Sequence, residues 1–234
     1  MLAYRSAFSN EVETKWDDDV WTLHTDVKAS LAYFDDFIEA QLKKLGAQGY
    51  YLVFSPRRNF RHDLWPTYKA NRKDKRKPLA LASIIEDVKA RHPSMQEENI
   101  EADDLIGIMC TEFPSDSIAV SGDKDFATLP ITWYNFLKDE LVTRNETEAA
   151  NAHLMQTLMG DMTDGYQGIK GVGPKTAVKL LDKHGWDWDG VVTVYESKGL
   201  TEDDALLTAR LAYILQNKDY NKGKIELWNP SKRK

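Results

Sequence analysis

The chain has 234 residues, 42% of them hydrophobic, enough to fill the core of one large domain or of a domain with a small appendage. One cysteine excludes an internal disulfide and a thiolate metal cluster, and no apolar run approaches the roughly 18 residues that span a bilayer. The formal charge of −6 argues against nucleic acid until its distribution is read: Arg57 to Lys77 hold nine Lys or Arg against two Asp, and the remainder is strongly acidic.

In chain order, the opening residues lack the basic and apolar regions of a secretory signal, so a cytoplasmic protein is expected. Apolar spacing predicts a helix from Thr25 to Leu45, then a buried strand over Tyr50–Phe54. In the basic stretch Phe60, Trp65 and Tyr68 interleave with Arg57, Arg58, Arg61, Lys69, Arg72 and Lys73, a mixture of stacking faces and cations suited to a frayed or single-stranded end. Packing of Phe60 and Trp65 onto the core is the competing reading. Helices follow over Leu79–Arg91 and Ala102–Glu112, the second carrying Cys110 as a buried thiol. Strands are expected over Ser117–Ser121 and, more weakly, Ile131–Tyr134. This alternation predicts an α/β class with a largely parallel central sheet and helices on both faces, its chemistry at the carboxyl ends of the strands.

From about residue 147 the pattern turns helical, with Leu154, Met155, Leu158 and Met159 on one face. The expected division is therefore 1–146 as an α/β core, with a basic arch near 57–77, and 147–234 as a helical lobe. Ile169 to Ala177 reads as a glycine hairpin before a helix that starts at Pro174 and stops at Gly185. Gly171 and Gly173 let backbone N–H groups approach phosphates beside Lys175 and Thr176, without reading base sequence. Lys224–Trp228 suggest a short edge strand, and Ser231–Lys234 a disordered end.

Seven carboxylates fall in three groups at element ends: Glu101, Asp103 and Asp104; Asp123 and Asp125; Asp161 and Asp164. Taken singly, each group also suits helix capping or turn chemistry. Converging, they would repel severely unless cations relieve them, and oxygen-only donors favour Mg²⁺ or Mn²⁺ over Zn²⁺. A pair of ions, one generating hydroxide and one stabilising the leaving oxygen, explains the combination.

Tyr68-Lys69-Ala70-Asn71-Arg72, Glu101-Ala102-Asp103-Asp104, Ser121-Gly122-Asp123-Lys124-Asp125 and Gly160 to Gly165 running into Gly171-Val172-Gly173-Pro174 resemble, in order and spacing, the 5′ nuclease family. That family includes flap endonucleases, the 5′ nuclease domain of bacterial DNA polymerase I and phage 5′ to 3′ exonucleases. The resemblance implies a PIN-like core with a helix–three-turn–helix lobe, and two Mg²⁺, replaceable by Mn²⁺. Glu101, Asp103, Asp104 and Asp123 would serve one ion, and Asp125, Asp161 and Asp164 mainly the second. It further implies that Lys69 and Arg72 bear on the scissile phosphate, that Tyr68 stacks on a terminal base, and that hairpin carbonyls hold a K⁺. The implied substrates are DNA with 5′ ends, flaps or gaps, and RNA primers in hybrids. A monomer acting in replication in a phage-infected bacterium is expected.

Two departures stand out. The family begins with a strand ending in Asp, ahead of a segment similar to Leu2–Arg5, and this sequence starts after that point; a second family Asp follows the strand over Tyr51–Phe54, where this chain has Ser55-Pro56. A catalytically impaired DNA-binding relic is therefore the alternative to an active nuclease. A ribonuclease with a similar acidic core is a third reading, disfavoured because such enzymes lack the hairpin lobe.

Overall fold

A computed structural model describes residues 1–232. Its elements in chain order are α1 (Leu2–Ser9), β1 (Glu11–Asp17), β2 (Val20–Thr25), α2 (Val27–Leu45), β3 (Leu52–Phe54), α3 (Arg61–Leu64), α4 (Leu81–Arg91), β4 (Ser94–Gln96), α5 (Ala102–Glu112), β5 (Ala119–Val120), β6 (Thr132–Asn135), β7 (Glu140–Thr143), α6 (Glu146–Met159), β8 (Gly160–Asp161), β9 (Tyr166–Gln167), α7 (Pro174–His184), α8 (Trp188–Glu196), α9 (Glu202–Ala212), β10 (Tyr220–Asn221) and β11 (Lys224–Ile225). They form two compact units, one of Met1–Phe54 with Asp74–Met95 and the other of Ser55–Lys73 with Gln96–Lys234. No helix among the described residues is long and apolar enough to cross a membrane.

In the first unit α2 begins later than the apolar spacing suggests, because Thr25 closes an antiparallel hairpin in which it pairs with Glu11. Asp26 caps α2 by accepting the Ala29 N–H, and Gly46 ends it at a φ of 63°, a left-handed stop that glycine adopts at no steric cost. Phe34 and Ile38 of α2 pack with Ile84 and Val88 of α4 and Ala7 of α1. The β1–β2 hairpin escapes sequence reading because Val12, Trp16, Val20 and Trp21 are all exposed, so no buried face imposes the usual alternation.

The second unit carries a mixed sheet. β5 runs parallel to β6, with Ala119 opposite Trp133, and β7 returns antiparallel to β6. The strand expected over Ser117–Ser121 shortens to two residues, and the antiparallel return adds to the parallel pairing that the alternation suggested. Phe126, Leu129, Ile131, Trp133, Ile214 and the buried Cys110 make one core. Leu154 and Leu158 of α6 join Leu181, Val191, Val194 and Tyr195 in another, as the apolar face of α6 requires. Gly107 lets α5 approach the chain beyond α9: a Cβ there would meet Leu215 O at 2.4 Å. The suggested tail strand is the two-residue β11, paired with β10. Of the end expected to be disordered, Ser231 and Lys232 complete a 3₁₀ turn, while Arg233 and Lys234 lie outside the described residues.

Candidate active site

Helix α5 starts at the acidic run. Glu101 is its N-cap, and the Asp104 carboxylate reaches back to accept the Glu101 N–H at 2.9 Å. Asp104 is fully buried and takes a bidentate pair from Arg61, at 2.6 and 2.8 Å, as well as the Leu215 N–H at 3.1 Å. The Arg61 side chain also donates to the carbonyls of Leu211 (3.0 Å) and Tyr213 (2.6 Å), and it lies 3.4 Å from Glu101 Oε2. Two expectations are corrected here. Arg61 does not offer its cation to DNA, being 3% exposed with its donors turned inward; and Asp104, with both oxygens engaged by Arg61 and backbone N–H groups, does not face the open side of the cluster.

Tyr68 corrects a third. Its ring is 3% exposed, stacked near Tyr166 and edge-on to His62, so it has no free face for a base. Its hydroxyl lies 2.9 Å from Glu101 Oε2 and 3.1 Å from Asp164 Oδ2, donating to one at a time. Phe60 is buried, in line with packing, whereas Trp65 stays partly open and donates to Gly165 O. Lys69 has a φ of 55°, unusual for a residue with a side chain. That backbone is held by its N–H to Asp164 O, and its ammonium lies 2.6 Å from Glu101 Oε1 and 3.4 Å from Asp164 Oδ2. Arg72 pairs with Asp164 Oδ1. Lys69 thus joins the first and third acidic groups, and Arg72 adds a second cation to the third.

The second group meets the third through a residue that motif reading passed over. Beyond β5 the chain turns at Asp123, whose carboxylate accepts the Asp125 N–H at 3.0 Å. Lys124, between them, extends its ammonium to 2.7 Å from Asp125 Oδ1 and 2.8 Å from Asp161 Oδ2. Lys124 was legible only as a cation inside an acidic motif; its bridging required Asp161, 37 residues on. Among the described residues Asp103 and Asp123 make no ion pair. Burial, with Asp123 and Glu101 nearby, pushes Asp103 up to about 7, and burial with Asp123 raises Asp125. Burial would also raise Glu101 and Asp161, but Arg61 and Lys69 hold the first below its ordinary value and Lys124 the second.

Ser55, where the resemblance expects an Asp nearby, accepts the Ala102 N–H at 2.9 Å and so serves the start of α5. Arg57, Arg58 and Lys73 are exposed, Arg58 pairing with Asp63. At the glycine hairpin Gly171 has a φ of 81°, Gly173 caps α7, and Lys175 and Thr176 are exposed in its first turn. No three carboxylates, imidazoles or thiolates among the described residues lie close enough to share one ion as they stand; the Lys69 ammonium stands between Glu101 and Asp164, and that of Lys124 between Asp125 and Asp161.

The profile of the 5′–3′ exonuclease N-terminal resolvase-like domain matches residues 2–157. The chain belongs to that family. It is 28% identical to an exonuclease of Escherichia phage T7, across 98% of this chain and 91% of the relative. A DNA polymerase I of Geobacillus stearothermophilus is 32% identical across 68% of this chain and 21% of its own length. Among solved structures, a phage T5 protein co-crystallised with metal ions superposes with a TM-score of 0.63 at 18% identity, covering 78% of this chain and 82% of the other; this shows a shared α/β fold. A phage T5 flap endonuclease solved with DNA and metal ions is similar to the same extent, with a TM-score of 0.62 at 17% identity.

Proposed function

We propose that the chain is a Mg²⁺-dependent 5′ nuclease, hydrolysing DNA phosphodiesters from 5′ ends or at flap junctions to leave 5′-phosphate products. The observation that carries this reading is the meeting of Glu101, Asp125, Asp161 and Asp164 around Lys69, Arg72 and Lys124, on a chain of the exonuclease family. The donors are all oxygen, which suits Mg²⁺ or Mn²⁺, and the exposed Lys124 can withdraw without unpacking a core. Glu101, Asp103 and Asp123 would hold one ion and Asp125, Asp161 and Asp164 the other, with Asp104 turned to Arg61 as a positioning pair. Such ions supply Lewis acidity and lower the pKa of water toward neutrality.

The chain's own side chains do the rest. Lys69 and Arg72 pair with the carboxylates in the free protein and turn to the scissile phosphate as it arrives. Tyr68 fixes Glu101. Arg57, Arg58 and Lys73 hold the strand near the site, while Gly171, Gly173, Lys175 and Thr176 hold duplex phosphates, with a K⁺ at the hairpin carbonyls. We read the protein as a monomer in the cytoplasm of a phage-infected bacterium, taking RNA primers in hybrids as well as DNA. Single-turnover cleavage of a labelled 5′ flap, titrated with Mg²⁺ and with Mn²⁺, tests the reading. Metal-dependent release of a 5′-phosphate fragment is expected; binding of the flap without cleavage at saturating metal would overturn it.

A further inference from the structure

Lys124 and Lys69 both stand between carboxylates, but in different settings. The Lys69 side chain is 19% exposed and its backbone is tied to Asp164, whereas the Lys124 side chain is 70% exposed, on a short 3₁₀ turn, its ammonium engaged among the described residues by Asp125 and Asp161 alone. Those two oxygens lie no farther apart than the two Lys124 hydrogen bonds laid end to end. The other Asp161 oxygen is committed to the N–H groups of Thr163 and Asp164, so the oxygen meeting Lys124 is the one left for a cation. Held this close, two carboxylates repel strongly unless a positive charge sits between them.

We propose that Lys124 is the resident counter-ion of the Asp125–Asp161 pair: its ammonium draws the two carboxylates together, and a divalent cation must displace it to bind there. The inference rests on the metal reading above. A divalent ion brings twice the charge and binds oxygen at shorter range, so it wins the exchange. The tethered ammonium never leaves the neighbourhood, however, and lowers the apparent affinity by the fraction of time it occupies the pair. Lys124 therefore preorganises the second ion's carboxylates and at the same time sets the concentration that ion requires.

The experiment uses the full chain without DNA, titrated with Mn²⁺ alone while free ion is followed by electron paramagnetic resonance, together with melting in EDTA. Lys124→Met keeps the aliphatic stem and removes the charge; Asp125→Asn serves as the control. Wild type is expected to take up two ions, one weakly, and Asp125→Asn to lose the weak one. Lys124→Met should tighten the weak site about tenfold if the ammonium occupies the pair nine-tenths of the time. In EDTA the same variant should melt a few degrees lower, roughly the shift of a single lost surface-site interaction, and recover more than wild type on adding Mn²⁺. If Asp125→Asn loses an ion while Lys124→Met binds both as wild type does, or more weakly, the counter-ion role is overturned and the metal reading stands. If wild type takes up no Mn²⁺, both fall.

Discussion

Arg61 and Lys124 each neutralise carboxylates of one cluster, yet the Arg61 side chain is 4% exposed and that of Lys124 is 70% exposed. Arg61 spends its donors on Asp104 and on two carbonyls near the end of α9, and its partner is closed to solvent. Lys124 holds only side-chain oxygens and can leave. A buried cation whose partner would be stranded by its removal belongs to the fold, because an unpaired charge in the interior is costly. An exposed one adds little stability and is free to exchange. The half of the site around Asp104 is thus fixed, and the half around Asp125 and Asp161 is adjustable.

The comparison breaks most visibly at the adjustable half. If Asp125 holds an ion as proposed, Asp125→Asn should lower single-turnover cleavage by about a thousandfold or more while leaving flap binding within roughly tenfold, since losing a ligand removes transition-state stabilisation rather than phosphate contact. Full turnover by this variant and by Asp123→Asn would remove both from the reaction. The fixed half should answer in stability instead. Arg61→Met is expected to cost about 3–5 kcal/mol by chemical denaturation, because it strands Asp104, against less than about 1 kcal/mol for Lys124→Met. Equal losses would erase the distinction drawn from burial.

A pH scan sharpens the contrast. Asp103, raised to about 7, binds its proton more tightly folded than unfolded, so its contribution to stability falls as pH rises from its ordinary 3.8 to about 7. Asp125, raised by burial and by Asp123, adds to the trend. Glu101 and Asp161 are held low, so the stability they contribute is complete above their ordinary values of 4.5 and 3.8 and stays level from there upward. In EDTA the melting temperature should therefore fall by roughly 5 °C between about pH 5 and pH 8, and Asp103→Asn should flatten the slope. A slope unchanged in Asp103→Asn would remove that carboxyl as its source.

Tyr68 tests the border between the halves on a smaller scale. If its hydroxyl fixes Glu101, Tyr68→Phe should cost about 1 kcal/mol of transition-state stabilisation, a severalfold fall in kcat with KM unchanged. Stacking on a base, by contrast, would leave Tyr68→Phe silent and make only removal of the ring harmful.

Much of the fold was legible because buried helices advertise themselves: α2, α4 and α5 lie within two residues of the bounds that apolar spacing gives. The convergence of Lys69 with Glu101 and Asp164 was not, since those residues lie 32 and 95 positions away and spacing says nothing about approach through space. Burial was the other blind spot. Arg61 and Tyr68 sit in a cationic, aromatic stretch that composition assigns to the surface, and only the carbonyls of Leu211 and Tyr213 and the ring of Tyr166 reveal that they face inward. The β1–β2 hairpin was invisible for the converse reason, its large apolar residues being exposed.

The smallest expected effect lies at the glycine hairpin, which contrasts with both halves of the acidic site in having, among the described residues, no charge pair to disturb. Two glycines there differ in what they can report. At Gly171 the φ of 81° disfavours any side chain, so a substitution strains the free protein and confounds a binding measurement. At Gly173 the φ of −110° suits a β-branched residue, and an added Cβ would meet no atom within 4 Å. Gly173 is the N-cap of α7 but offers that helix no side-chain acceptor, so Gly173→Val should lower the melting temperature by only about 2 °C, the cost of a β-branched residue at a cap. On the proposed reading its bulk stands where a duplex backbone approaches, so at fixed salt it should weaken duplex binding roughly threefold to tenfold, by the same factor for unrelated sequences, because phosphate contacts carry no base information. An unchanged dissociation constant would take the hairpin out of the interface, and a loss confined to one sequence would mean that this segment reads bases rather than the backbone.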